Sequence, residues 1–139
     1  MSITQLTIEH MKKLFEYFYY RIAKLNFKEN KPERAIISVT ITQSIIILNI
    51  VMGLILYIFP KIKRKLNIFE ILFILLVFFG LDYYNNKIYK GRYNEFNERW
   101  SNESKTSKII NMFFLILFII FSWGLIFIFG WINGRFNPY

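Results

Sequence analysis

The chain has 139 residues, of which 55% are hydrophobic, 20% aromatic and only 19% charged, with 18 Lys plus Arg against 9 Asp plus Glu. That is one domain's worth of chain, and a water-soluble domain of this size has too little interior to hide so much apolar side chain. With no cysteine and a single histidine, His10, disulfides, thiol catalysis and zinc–thiolate sites are excluded.

Residues 11–27 form the first patterned segment. Met11, Leu14, Phe15, Phe18, Ile22 and Leu25 fall on one arc of a helical wheel, with Lys12, Lys13, Glu16, Tyr20 and Lys24 on the reverse side. A cationic amphipathic helix of this kind suits a membrane interface, with Phe15, Phe18 and Ile22 against acyl chains and Lys12, Lys13 and Lys24 near anionic headgroups. The same face would also serve to pack on the protein's own spans or on a partner. Residues 1–34 are therefore read as an amphipathic N-terminal segment, and 35–139 as a transmembrane domain.

Three apolar runs follow, at about 35–59, 66–84 and 109–132. The first holds 25 residues, roughly 37 Å as a helix against a hydrocarbon core of about 30 Å. Lys31-Pro32-Glu33-Arg34 precedes it, and Pro suits a first helical turn because its missing N–H has no intrahelical partner there. It starts too late and runs too long for a cleaved signal, and no A-x-A site follows it. The second run is shorter, with Glu70 near one end, within a turn or two of Lys63, Arg64 and Lys65, and Asp82 near the other. In hydrocarbon each backbone group must be bonded within its own segment, and the period-two alternation of a barrel is missing, so the runs read as helices. The expected fold is an all-α integral membrane protein of three transmembrane helices.

The segment 85–108 is charged but patterned. Tyr89, Tyr93, Phe96 and Trp100 recur at helical spacing, and Glu95–Arg99 is a favourable i, i+4 pair. The second helix is expected to continue to about Trp100, with Gly91 its weak point, and Ser101-Asn102-Glu103-Ser104 to turn the chain and cap the last helix. The aromatic stripe is expected to pack against residues 11–27 or the headgroup layer.

With three spans, residues 1–34 and 85–108 share one side and carry 13 Lys plus Arg, against 5 on the other. The positive-inside rule then favours a cytoplasmic N-terminus and an outside C-terminus in a bacterial inner membrane. Lys61, Lys63, Arg64 and Lys65 count against it; a second run that re-enters without crossing is the alternative.

Polar residues within the spans are the customary place to look for function. Ser38, Thr42, Asn49 and Gly53 align on one face of the first run, which suits close helix packing or, alternatively, the lining of a solute path. Asn111 and Ser122 share a face of the third. On the expected topology Thr42, Gln43, Asp82 and Asn111 sit at similar depth, which would make one polar cluster.

The stretch from Met11 to Ile22, Met-Lys-Lys-Leu-Phe-Glu-Tyr-Phe-Tyr-Tyr-Arg-Ile, resembles a group of small bacterial membrane proteins of Bacteroidota type, as does the stretch from Tyr93 to Ile110. The resemblance implies an inner-membrane location and supplies no activity, cofactor or site residue.

No phosphate loop, H-E-x-x-H or G-x-S-x-G motif is present, and the cations flank apolar spans, which explains the net charge of +9 without nucleic acid. The expectation is a small non-enzymatic membrane protein without cofactor, an immunity, accessory or regulatory subunit acting through contacts with lipid, with its own copies or with a membrane partner. A homo-oligomeric pore or membrane-perturbing effector is the alternative.

Overall fold

The computed structural model describes residues 3–27, 31–59 and 67–132. These form five helices: α1 (Ile3–Phe27), α2 (Arg34–Ile58), α3 (Ile68–Tyr89), α4 (Tyr93–Trp100) and α5 (Lys105–Ile132). Three of them, α2, α3 and α5, are long and apolar enough to cross a membrane. The Lys61–Lys65 cations and the C-terminal tail lie outside the described residues.

Helix α2 is the centre of the bundle. A third of its most apolar stretch (33%) is buried, against 6% for α3 and 11% for α5, so α3 and α5 each lean on α2 with one edge and turn the rest outward. The residue pairs give the directions. Thr40, near the start of α2, meets Asn85, near the end of α3, so those two helices are antiparallel. Asn49 and Ser122 lie at similar distances from the starts of α2 and α5, so those two run parallel. The start of α2, the end of α3 and the start of α5 therefore share one end of the bundle.

At that end α1 and α4 join them in a head that holds most of the buried core. Residues 15–21 of α1 are all buried, although they include Glu16 and Arg21. A helix closed in on every side in this way has neighbours around its whole circumference. Ala35, Ile36 and Val39 of α2, Tyr89 of α3, Tyr93 and Phe96 of α4 and Leu115 of α5 supply them. Residues 4–13, by contrast, are exposed.

Local chemistry sets the helix ends. Asn67 accepts from the Glu70 amide while the Glu70 carboxylate accepts from the Asn67 amide, both at 2.9 Å, a capping box that satisfies two donors without an intrahelical partner. That gives Glu70 a role at the helix start. At the other end, α3 does not continue to Trp100 as expected. It stops at Tyr89, and Gly91 takes φ +74°, a left-handed conformation that side chains with a Cβ adopt only at a cost. Open space surrounds the position where a Gly91 Cβ would stand, so the backbone angle alone calls for glycine. The turn lets α4 pack on α1. After α4, the Ser104 hydroxyl accepts from the Ser107 amide at 3.1 Å and caps α5, as the sequence leads one to expect.

Candidate functional site

The head brings together nearly every buried charge of the described chain. Arg21 on α1 bonds the Glu103 carboxylate through Nη2, and its Nε donates to the Tyr17 hydroxyl at 2.8 Å. Tyr17 in turn donates to Glu103 at 3.1 Å, and Asn111 Nδ2 donates to the same carboxylate at 2.6 Å. The side chains of Arg21 and Glu103 are only 9% and 7% exposed, so neither charge has much water to fall back on. A second pair ties α1 to α4: Arg99 on α4 donates to the buried Glu16 carboxylate at 2.8 Å.

Aromatic rings surround these pairs. Tyr19 stacks on Tyr89 at 4.8 Å and meets the edge of Phe96 at 5.6 Å. Trp100 stacks on Phe96 at 5.8 Å and takes Tyr17 edge-on at 5.5 Å. The Arg21 guanidinium lies 4.8 Å from the Tyr17 ring centre, and that of Arg99 lies 5.3 Å from the ring centre of Trp100, where the negative ring face attracts the cation. The stripe Tyr89, Tyr93, Phe96 and Trp100 is thus spent on α1.

A smaller polar seam joins α2 to α3. Asn85 Nδ2 donates to Thr40 Oγ1 at 3.0 Å and to Gln43 Oε1 at 2.7 Å. Of the four residues aligned by depth in the sequence, only Gln43 belongs to this seam. The Thr42 hydroxyl donates to the Ser38 carbonyl of its own helix at 3.0 Å, Asn111 is drawn to Glu103, and the Asp82 carbonyl accepts from Asn86 at 2.9 Å. The four are thus engaged in separate bonds. Asn85 takes the place given to Asp82, because it lies one turn before Tyr89 on the face that meets α2.

The aligned face of α2 lies toward α5. Asn49 Nδ2 donates to the Ser122 carbonyl at 2.6 Å, and a Cβ on Gly53 would stand 3.5 Å from the Phe129 ring, ordinary contact that does not require glycine there. On α1, Phe15 and Phe18 are buried in the head and Ile22 packs against it, whereas Lys12, Lys13 and Lys24 are exposed. The three apolar members of the expected interface face are thus covered by protein, with Phe118 of α5 edge-on to Phe15 at 5.8 Å.

Sequence periodicity missed Arg21–Glu103 and Glu16–Arg99, since pairing across some eighty residues leaves no local signal. Asn85 had one: counting back four from Tyr89 places it on the stripe. His10 sits on exposed α1, with Nδ1 2.7 Å from the Leu6 carbonyl. Among the described residues no group of His, Asp and Glu is arranged to hold a metal. Among the described residues, the buried atoms Tyr19 Oη, Ser44 Oγ, Asn49 Oδ1 and Asn85 Oδ1 have no hydrogen-bond partner.

Removing one member of a buried ion pair strands the other. Arg21→Met is expected to destabilise the protein by about 3 kcal/mol in detergent unfolding, and the added Glu103→Leu is expected to restore most of it. A double variant as unstable as the single one contradicts this role.

Burial pushes the Tyr19 hydroxyl from its usual 10 up to about 12, and burial also raises Tyr17 and Tyr93. A folded-state pKa above the unfolded one favours the folded protein fully below pH 10 and loses that contribution as pH rises toward 12. Stability is therefore expected to fall across that alkaline window. Tyr19→Phe is expected to remove part of the fall and to cost nothing at neutral pH, because it deletes an unpartnered hydroxyl. An unchanged alkaline profile for Tyr19→Phe in pH-dependent unfolding counts against this.

No protein-family model, curated protein or solved structure matches the chain.

Proposed function

We propose that the chain is a non-enzymatic, multi-pass protein of the bacterial inner membrane that acts through contacts, as an immunity, accessory or regulatory subunit, and that it self-assembles or joins a membrane partner. The observation that supports this reading best is the closure of the polar head. The buried groups Arg21, Glu103 and Glu16 are spent on ion pairs within the head, Arg21 with Glu103 and Glu16 with Arg99, rather than aimed into a cavity as catalytic groups are. Their chemistry holds α1 and α4 on the bundle. What remains for recognition is the surface.

The distribution of charge supports a cytoplasmic head: 13 of the 18 Lys and Arg lie in the segments that share its side. The exposed first turns of α1, with Lys12 and Lys13, suit the cytoplasmic headgroup layer. The pore reading needs an open polar face on α2, and within one copy Asn49 is already engaged with α5.

Native mass measurement of the protein released in its own lipid is the test. The expected particle exceeds the 16.9 kDa of one chain by a further copy or a partner, and purified protein in liposomes leaks no ions. A strict monomer contradicts the contact reading, and leakage abolished by Asn49→Leu replaces it with the pore. The chain is free of cysteine, so a single Lys105→Cys reports orientation: an impermeant maleimide is expected to spare it in intact cells, and labelling there reverses the topology.

A further inference from the structure

A groove of about 550 Å³ opens where α1, α4 and α5 meet. Its lining is segregated by polarity. Lys13, Arg99 and the Asn111 amide supply the polar part, Leu14, Phe114 and Leu115 the apolar part, and the Trp100 ring also lines it. The groove lies where α5 passes from Lys105–Lys108 into its apolar run, the level at which a bilayer passes from headgroup to acyl chain. From Phe114 (60% exposed) an apolar strip continues down the outer face of α5 through Leu117 and Phe121, at intervals of three and four residues.

We propose that this groove is a specific site for one anionic phospholipid, its phosphate between Lys13 and Arg99 and one acyl chain along Phe114, Leu117 and Phe121. Lys13 pairs with Glu9 at 2.9 Å, and Arg99 with Glu16 at 2.8 Å and Glu95 at 3.5 Å. An ammonium has three N–H donors and a guanidinium five, so both keep donors for a phosphate. Both side chains are open to it, at 63% and 47% exposure. The segments on this side carry 13 Lys plus Arg against 7 Glu, a field that concentrates anionic lipid. A Trp ring at headgroup depth, apolar in body with one N–H donor, is the usual companion of such a site. The apolar strip argues for a lipid over a free phosphate, which would leave Leu14 and Phe114 unused. The site does not rest on the contact reading above, since one copy of the chain contains all of it.

Lipid binding to the full chain in neutral detergent, followed by native mass spectrometry, tests the proposal with phosphatidylglycerol, phosphatidylcholine and glycerol 3-phosphate as probes. Phosphatidylglycerol is expected to bind about tenfold tighter than phosphatidylcholine, and glycerol 3-phosphate not to displace it. Lys13→Gln should weaken phosphatidylglycerol about fivefold and phosphatidylcholine, whose choline cation offsets the same phosphate charge, by less. Phe114→Ser should weaken both lipids, and Lys87→Gln, in the last turn of α3 and outside the groove lining, neither. All three side chains are exposed, so these variants are expected to keep the fold, which circular dichroism verifies. Equal affinity for the two lipids, an unaffected Lys13→Gln, or displacement by glycerol 3-phosphate as effective as by lipid overturns the proposal.

Discussion

A peptide N–H or C=O in hydrocarbon has no water to bond, and each one left unsatisfied costs several kcal/mol. Helices α2, α3 and α5 answer that constraint by bonding every backbone group within the segment. Their lengths of 25, 22 and 28 residues give about 33 Å or more each, against an acyl core of about 30 Å. Because lipid tails are as apolar as Leu or Ile, the spans gain little by burying side chains against one another. That explains a bundle in which α3 and α5 keep most of their surface outward and touch α2 through a few specific groups: Asn85 with Thr40 and Gln43, Asn49 with Ser122.

The head follows opposite rules. At the end of the bundle, charged groups can be carried and apolar burial is again favourable, and there α1 and α4 contribute most of the buried core of the described residues. Each close aromatic pair adds about 0.5–1.5 kcal/mol beyond the area it buries. The chain of rings from Tyr19 through Phe96 to Trp100 thereby clamps α1 between α4 and the starts of the spans. Buried Arg21 and Glu103 contribute less net energy than their contact suggests, since both are taken from water, but a misplaced α1 would leave them stranded. They fix position more than they add stability. A head so closed on itself fixes α1 and α4 against one end of the three long helices.

The spans were legible in the sequence because a run such as Ala35–Phe59 admits only one solution in lipid. The cap at Ser104 and the packing of the Tyr89–Trp100 stripe on α1 were legible from spacing alone. The break at Gly91 was visible as a weak point yet misjudged, since periodicity continues across a turn that happens to preserve the apolar face. The α1 wheel misled in a different way. Glu16, Tyr20 and Arg21 look solvated on a helix with one apolar arc, but the head has a partner for each. Those partners lie on α4 and in the turn before α5, far along the chain, where no local pattern points to them. Depth alone groups Asp82 with Thr42, Gln43 and Asn111, whereas register with Tyr89 brings Asn85 to Thr40 and Gln43.

Membrane embedding of α2, α3 and α5 carries every other statement, and fractionation of the native protein measures it directly. After washing membranes with alkaline carbonate the chain should stay in the pellet and enter solution only with detergent. Recovery in the carbonate supernatant, or a purified chain that stays dispersed in plain buffer, would contradict the account.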